Sequence, residues 1–399
     1  MRLETSWKAT WWICFPVAVI DGYDTLVMSF LAPLIAKDLG IAPQLLRGVF
    51  TATYAGAALG AIGLGAAADR FGRKPLLVLS LALVAVFTAL AAGAHTLNEL
   101  MWLRAVAGLG LGGAIPIISA LAARGIPHER RRAAVTRVFI GYPIGAILGG
   151  AVTALVIAHV GWRGLMLGTG VLAGMLIPLA QWGLGESVAD SESHPAESHT
   201  DRRLIGQLLA GRRGLLTVTL CVSVFLILAV SYFLVSWTPT VLTLKGLSAQ
   251  RAAGIAVLLN VGGLVGAWAL SVLGRRAPAR FIGLSICVGA LLIGAFGFAL
   301  GGSQVVAAAT VLCIGFLVIG AQTNIPALSA WLFPLHLSAS AVGLAMACGR
   351  LGSIVGPLVG GYLLASRLGW GLLFLFAAVP ALLSGLALVM LAVLDRQHR

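Results

Sequence analysis

The sequence predicts an all-α membrane protein: twelve transmembrane helices in two parallel-repeat six-helix bundles. Three observations predict it. Hydrophobic residues make up 59% of the 399 residues and charged residues only 10%, against about 25% charged in an average soluble chain. Twelve apolar runs approach or exceed the length of about 20 residues that crosses a bilayer. The first six runs share residue patterns with the last six. A mean hydropathy of +1.00 excludes disorder, which needs low hydrophobicity.

The runs are 11–36, 46–66, 76–94, 98–123, 133–158, 162–183, 214–238, 248–272, 281–300, 303–328, 337–365 and 370–393. The first carries Asp21 and Asp24 and has no charge-free core followed by a small-residue cleavage site. It therefore reads as a retained helix and not as a signal peptide. The one long polar stretch, 184–213, lies between runs six and seven. The domain reading is thus an N-terminal bundle over 1–185, a cytoplasmic linker over 186–213 and a C-terminal bundle over 214–399.

Basic residues orient the runs. With both termini inside, 19 of the 27 Lys and Arg fall on the inside and 6 outside, and Arg104 and Arg350 lie within spans. This placement accounts for the net charge of +14 as an anchoring pattern. There is no basic face of the kind that binds nucleic acid, so no nucleic-acid partner is expected. The five cysteines (Cys14, Cys221, Cys287, Cys313, Cys348) all fall in apolar runs without paired spacing, and read as small apolar residues.

The repeat is specific. Pro33, Gly40 and Gln44 match Pro239, Gly246 and Gln250 at an offset of 206, as Gly56 and Gly60 match Gly262 and Gly266. Ile115-Pro116 matches Ile325-Pro326 at 210, and Gly141, Gly145 and Gly149 match Gly352, Gly356 and Gly360 at 211. Six is an even number of crossings, so the halves share one orientation. Glycines at every fourth position make smooth faces on which helix backbones approach closely. Two such bundles facing each other would enclose a cleft suited to alternating access.

Enzyme signals fail. Gly108-x-Gly110-x-x-Gly113 fits a dinucleotide pattern but sits inside a membrane run and not after a strand. There is no phosphate-binding Gly-Lys-Ser/Thr loop, no metal-ligand spacing among the seven His, and no convergent Ser/His/Asp set. No enzyme activity, cofactor or metal is expected.

Of the 13 acidic residues, only Asp21 and Asp24 lie inside a span, one helical turn apart on one face. A charge at mid-span costs roughly 2.5–3.5 kcal/mol on insertion scales, so it calls for a partner, a proton or water. At offset 206 their equivalents are Ile227 and Val230, so the fold does not require acids there. Arg104 and Arg350 present guanidinium forks that fit a carboxylate, and one of them is expected to pair with an Asp. Tyr23, Tyr142, Gln322 and Asn324 are candidates for completing a site.

Gly65-Ala-Ala-Ala-Asp69-Arg70-Phe-Gly72-Arg73-Lys74, between runs two and three, resembles the loop signature of the major facilitator superfamily. Arg104, Gly108, Gly110 and Gly112 resemble its fourth-span motif. Asp21-Gly22-Tyr23-Asp24-Thr25 is similar to the first-span signature of the aromatic acid:proton symporter family, as are Gly108–Pro116 and Gly349–Pro357. The resemblance covers nearly the whole chain, and departs from that family's pattern at Arg124 and at Leu335-His336. It implies a proton-coupled importer of a small aromatic carboxylate such as a hydroxybenzoate, in a bacterial cytoplasmic membrane. The alternative is a proton antiporter exporting drugs or metabolites. Asp21, Asp24 and Arg104 are then the proton-coupling residues, and Arg350, Asn324, Gln322, Tyr142 and Tyr23 the substrate-binding ones. Asp69, Arg70, Gly72, Arg73 and Lys74 form a gating loop. Protons, the aromatic acid and the bilayer are the expected partners, and the expected state is a monomer.

Overall fold

The computed structural model describes residues 2–124, 126, 128–184, 202–274, 277–299, 303–366 and 369–396. Of the predicted linker (186–213), residues 186–201 lie outside them, as does the Arg275-Arg276 pair. Every long element among the described residues is helical. In order they are α1 (Arg2–Asp38), α2 (Arg47–Phe71), α3 (Arg73–Ala91), α4 (Leu97–Ala123), α5 (His128–Phe139), α6 (Gly141–Gly183), α7 (Arg202–Leu209), α8 (Gly211–Leu244), α9 (Ala249–Leu273), α10 (Pro278–Ala299), α11 (Gln304–Ile314), α12 (Gly320–Thr323), α13 (Ile325–Leu332), α14 (Leu335–Ala365) and α15 (Trp370–Arg396).

Among the described residues, eleven helices are long and apolar enough to cross a membrane. One of these, Ala134–Gly183, has 50 residues. At about 1.5 Å per residue it is more than twice the roughly 30 Å of a hydrocarbon core, so it must turn. It turns at Gly161, where φ is 65° and ψ is −179°, a conformation open to glycine. That is where the predicted runs five and six meet.

Proximity of the chain divides it into two units, Met1–Ala196 with Ser248–Gly254, and Glu197–Leu247 with Ile255–Arg399. In the first, α1 packs on the first arm of α6, α2 on α4, and α3 on α4 and α6. In the second, α8 packs on α14 and α15, and α10 on α15, while α9 meets the helix that begins as α11.

Glycine makes these approaches possible. A Cβ at Gly56 or Gly60 would overlap the carbonyl of Ala105 or Leu109, and one at Gly262 or Gly266 that of Leu312 or Phe316. Each unit thus has its own copy of the same kind of close backbone contact, at glycines that the repeat matched. On the first and seventh spans the shared register departs from the predicted one. Gly145 packs on the Val19 carbonyl and Gly356 on the Ala229 carbonyl; Gly141 and Gly352 pack on those of Phe15 and Phe225. The matching residues of α1 and α8 are therefore 210 apart, not 206. The difference of four is one helical turn, so the glycines still align while the residues between them shift.

The start of α4 is built locally. Thr96 Oγ1 accepts from the Glu99 N–H, and Glu99 accepts in return from the N–H groups of Thr96 and His95. This reciprocal cap satisfies donors that a helix start leaves open.

Candidate transport site

Asp24 and Arg104 lie wholly inside the first unit, each side chain at 0% exposure. Arg104 Nη1 donates to Asp24 Oδ1 at 3.1 Å, and Nη2 sits 3.0 Å from Oδ2. The second approach is a charge contact at an angle too bent for a hydrogen bond, which leaves Oδ2 and Arg104 Nε without hydrogen bonds among the described residues. Nη2 also donates to the Asp24 carbonyl at 3.3 Å. Thr88 closes the cluster: its hydroxyl donates to Asp24 Oδ1 at 3.0 Å and accepts from Arg104 Nη1 at 3.1 Å. Three helices, α1, α3 and α4, are thereby tied by one buried, charge-neutral group.

Thr88 was not among the predicted residues. A single hydroxyl in an apolar run carries no signal, since threonine in a helix usually satisfies itself on a carbonyl one turn back. Only the packing of α3 brings it to the pair.

The corrected register sharpens the contrast between the halves. Counterparts of Asp21, Tyr23 and Asp24 are Ser231, Phe233 and Leu234, in place of the predicted Ile227 and Val230 for the two acids. The contact shared by Ala105 and Leu312 pairs Arg104 with Val311. Leu234 and Val311 are both buried at 1%. The same architecture is therefore completed with two apolar side chains in one half and an ion pair in the other.

Asp21 is 5% exposed and Tyr23 6%, so the whole Asp-Gly-Tyr-Asp stretch is inside the protein. Its glycine has a steric cause: a Cβ on Gly22 would run into the Tyr142 carbonyl of α6. This contact holds the half-buried Tyr142 beside the first span.

The predicted substrate residues of the second half are less closely tied. Arg350, on α14, is half-buried and makes no ion pair with a described carboxylate. Asn324 is anchored, its Nδ2 donating to the carbonyls of Ala267 at 3.1 Å and Gly320 at 2.9 Å. Gln322, two residues earlier, has a buried Oε1 with no donor among the described residues.

The predicted gating loop is narrower than a loop. Asp69 and Arg70 end α2, Arg73 and Lys74 begin α3, and Gly72 alone joins them at φ 95°, ψ 145°. Asp69 and Arg73 face each other across this glycine at 3.8 Å, and Arg70 lies over the Phe71 ring at 5.4 Å. The structure brings Asp24 with Arg104, Gly22 with Tyr142, and Asp69 with Arg73. It does not bring Asp24 to the gating residues.

The major facilitator superfamily model matches residues 13–356. The chain belongs to the major facilitator superfamily. Among the relatives of this transporter, the gallate transporter of Pseudomonas putida is 33% identical over 94% of this chain and 90% of its own length. The 4-hydroxybenzoate transporter PcaK of the same organism is 32% identical over 94% and 90%. In fold, the crystal structure of the nucleoside transporter NupG superposes with a TM-score of 0.76 over 95% of this chain and 98% of that one, at 14% identity. Membership, the aromatic acid relatives and the apolar helices make this chain a multi-pass membrane transporter of a small molecule and not an enzyme.

Proposed function

We propose that this transporter imports a small, hydroxybenzoate-like aromatic carboxylate together with a proton. It does so by alternating access of its two six-span bundles, in a bacterial cytoplasmic membrane with both termini inside. The relatives that carry gallate and 4-hydroxybenzoate support the substrate class. The observation that carries the coupling is the buried Asp24–Arg104 pair, set where the other half has Leu234 and Val311.

The pair suits a proton switch for an energetic reason. A buried ion pair is close to balanced while both charges are present, but removing one charge leaves the other uncompensated, at roughly 3–5 kcal/mol. A proton delivered to the acidic face of α1, at Asp24 or through Asp21 one turn away, creates that imbalance in Arg104. A rearrangement that gives Arg104 a new acceptor, or lets water reach it, is then favoured. Losing the proton restores the pair. The acids do not need to touch the substrate for this; they need only be linked to the helix packing, as Thr88 and the Gly22–Tyr142 contact link them.

Arg350 receives the carboxylate of the substrate. Its guanidinium is half-buried, always charged, and engaged by no described acid, and its planar fork fits a carboxylate's two oxygens. Tyr23 and Tyr142 supply aromatic faces, with Asn324 and Gln322 as polar contacts from the second half. The Asp69–Arg73 hinge forms the inside gate, opening and closing around Gly72.

The test is uptake of labelled 4-hydroxybenzoate into proteoliposomes, with and without an inward proton gradient, for the wild type, Asp24→Asn and Asp21→Asn. Gradient-driven uptake that is lost in the variants supports the reading. Driven uptake unchanged in both removes the proton role of the acids. Uptake opposed by the inward gradient establishes antiport instead.

A further inference from the structure

Spans four and ten are repeat counterparts, yet only one is a plain helix. Span four is unbroken α-helix from Leu97 to Ala123. Span ten changes to a π turn over Gly315–Ile319 and breaks at Asn324. A π turn admits one extra residue, and such turns gather at functional sites. One residue is about 100° of helix rotation, so everything beyond Ile319 is turned to a different face. The turn is held firmly: Ser285 Oγ donates to the Leu317 carbonyl at 2.8 Å, and Asn324 covers the Gly320 carbonyl.

Gln322 is the residue this arrangement leaves unmet. Its side-chain Oε1 is buried and has no donor among the described residues. Its backbone carbonyl loses its usual partner as well, because residue 326 is proline and has no N–H. The Asn324 N–H, two residues on, reaches that carbonyl and the Ala321 carbonyl together. The side-chain oxygen is thus the acceptor of this residue that has no donor among the described residues. Buried acceptors in native proteins are nearly always satisfied, so each exception asks for a partner.

The aromatic carboxylate of the preceding section, on which this step rests, limits what the partner is. An ionised carboxylate accepts only, and an unsubstituted ring offers no O–H or N–H. A ring hydroxyl is the one donor such a substrate can bring. We propose that Gln322 accepts a hydrogen bond from a phenolic hydroxyl of the substrate, and so makes the transporter prefer hydroxylated aromatic acids to unsubstituted ones. Gln322 is a specificity residue in this reading, and Arg350 holds the other end of the ligand.

The experiment compares benzoate with 4-hydroxybenzoate, as competitors of labelled 4-hydroxybenzoate uptake and as ligands that raise the thermal-unfolding midpoint of the purified, full-length protein. Wild type, Gln322→Leu, Gln322→Met and Gln322→Glu are measured. The expected wild-type preference for the hydroxylated acid is roughly tenfold, the scale of one hydrogen bond whose loss strands a buried acceptor. It should collapse toward parity in the Leu and Met variants, with benzoate binding retained, and survive in Glu, which keeps an acceptor. A preference unchanged in Leu or Met overturns the assignment. So does equal loss of both acids in a folded variant, or a wild type with no preference. If neither acid competes with or stabilises the wild type, the aromatic-acid reading itself has failed.

Discussion

Arg104 spans the carboxylate of Asp24 with both terminal nitrogens, 3.1 Å and 3.0 Å from its two oxygens, and neither side chain is exposed. Two residues 80 positions apart are thus a single neutral group in the centre of the first unit. Their counterparts, Leu234 and Val311, show what the fold does when that group is not needed.

This comparison makes the first prediction. Asp24→Leu and Arg104→Val should each destabilise the protein by about 3–5 kcal/mol, because each strands one buried charge. The double variant copies the second half and should recover most of the loss. Proton-driven uptake should stay absent in all three. Thermal unfolding in detergent and gradient-driven uptake measure the two effects separately; a double variant that unfolds like the singles would mean the pair is structural in its own right.

Gly22→Ala should disrupt the first unit, since its methyl group enters the space of the Tyr142 carbonyl on α6. Overpacking of this kind costs about 1–3 kcal/mol. Gly343→Ala is the control: a Cβ there meets nothing within 4 Å, so its unfolding midpoint should match the wild type.

At Gly72, φ 95° with ψ 145° is a region only glycine enters readily. Gly72→Ala should lose about 1–3 kcal/mol through backbone strain. Arg73→Ala should cost less than about 1 kcal/mol, because Asp69 is half-exposed and surface ion pairs contribute little. If Arg73 works in the gate, its variant should lose transport rate while unfolding normally. Parallel uptake and unfolding curves separate the two.

Asn324→Ala removes one hydrogen bond that ties the end of α12 to α9, at Ala267, and one back to Gly320 within its own turn, and uncovers two carbonyls, an expected loss of about 1–3 kcal/mol. Its thermal midpoint should fall. A change in substrate affinity beyond that of an equally destabilised control would assign Asn324 a direct contact as well.

Much of the first half was legible because its signals are local. Runs of apolar residues mark the spans, glycines at every fourth position mark the close-packed faces, and two acids in one apolar run stand out whatever surrounds them. Arg104 was recognisable on the same grounds. Thr88 was not, because its role exists only where α3 crosses α1 and α4. The π turn of span ten was not legible either: Gly315–Ile319 reads as ordinary apolar helix, and only the changed offset, from 206 in the eighth span to 210 at Ile325-Pro326, hinted that span ten holds extra residues.

By itself, the sequence determined the number of spans, the repeat, the family motifs and the set of buried charges, since each depends on residue type and spacing along one chain. The tertiary structure alone decided which charge meets which, that Asp24 corresponds to Leu234, and that Gln322 is left with an unmet acceptor. The reason is geometric. One residue turns a helix face by about 100°, so a slip of register too small to alter the apolar pattern decides which side chains meet.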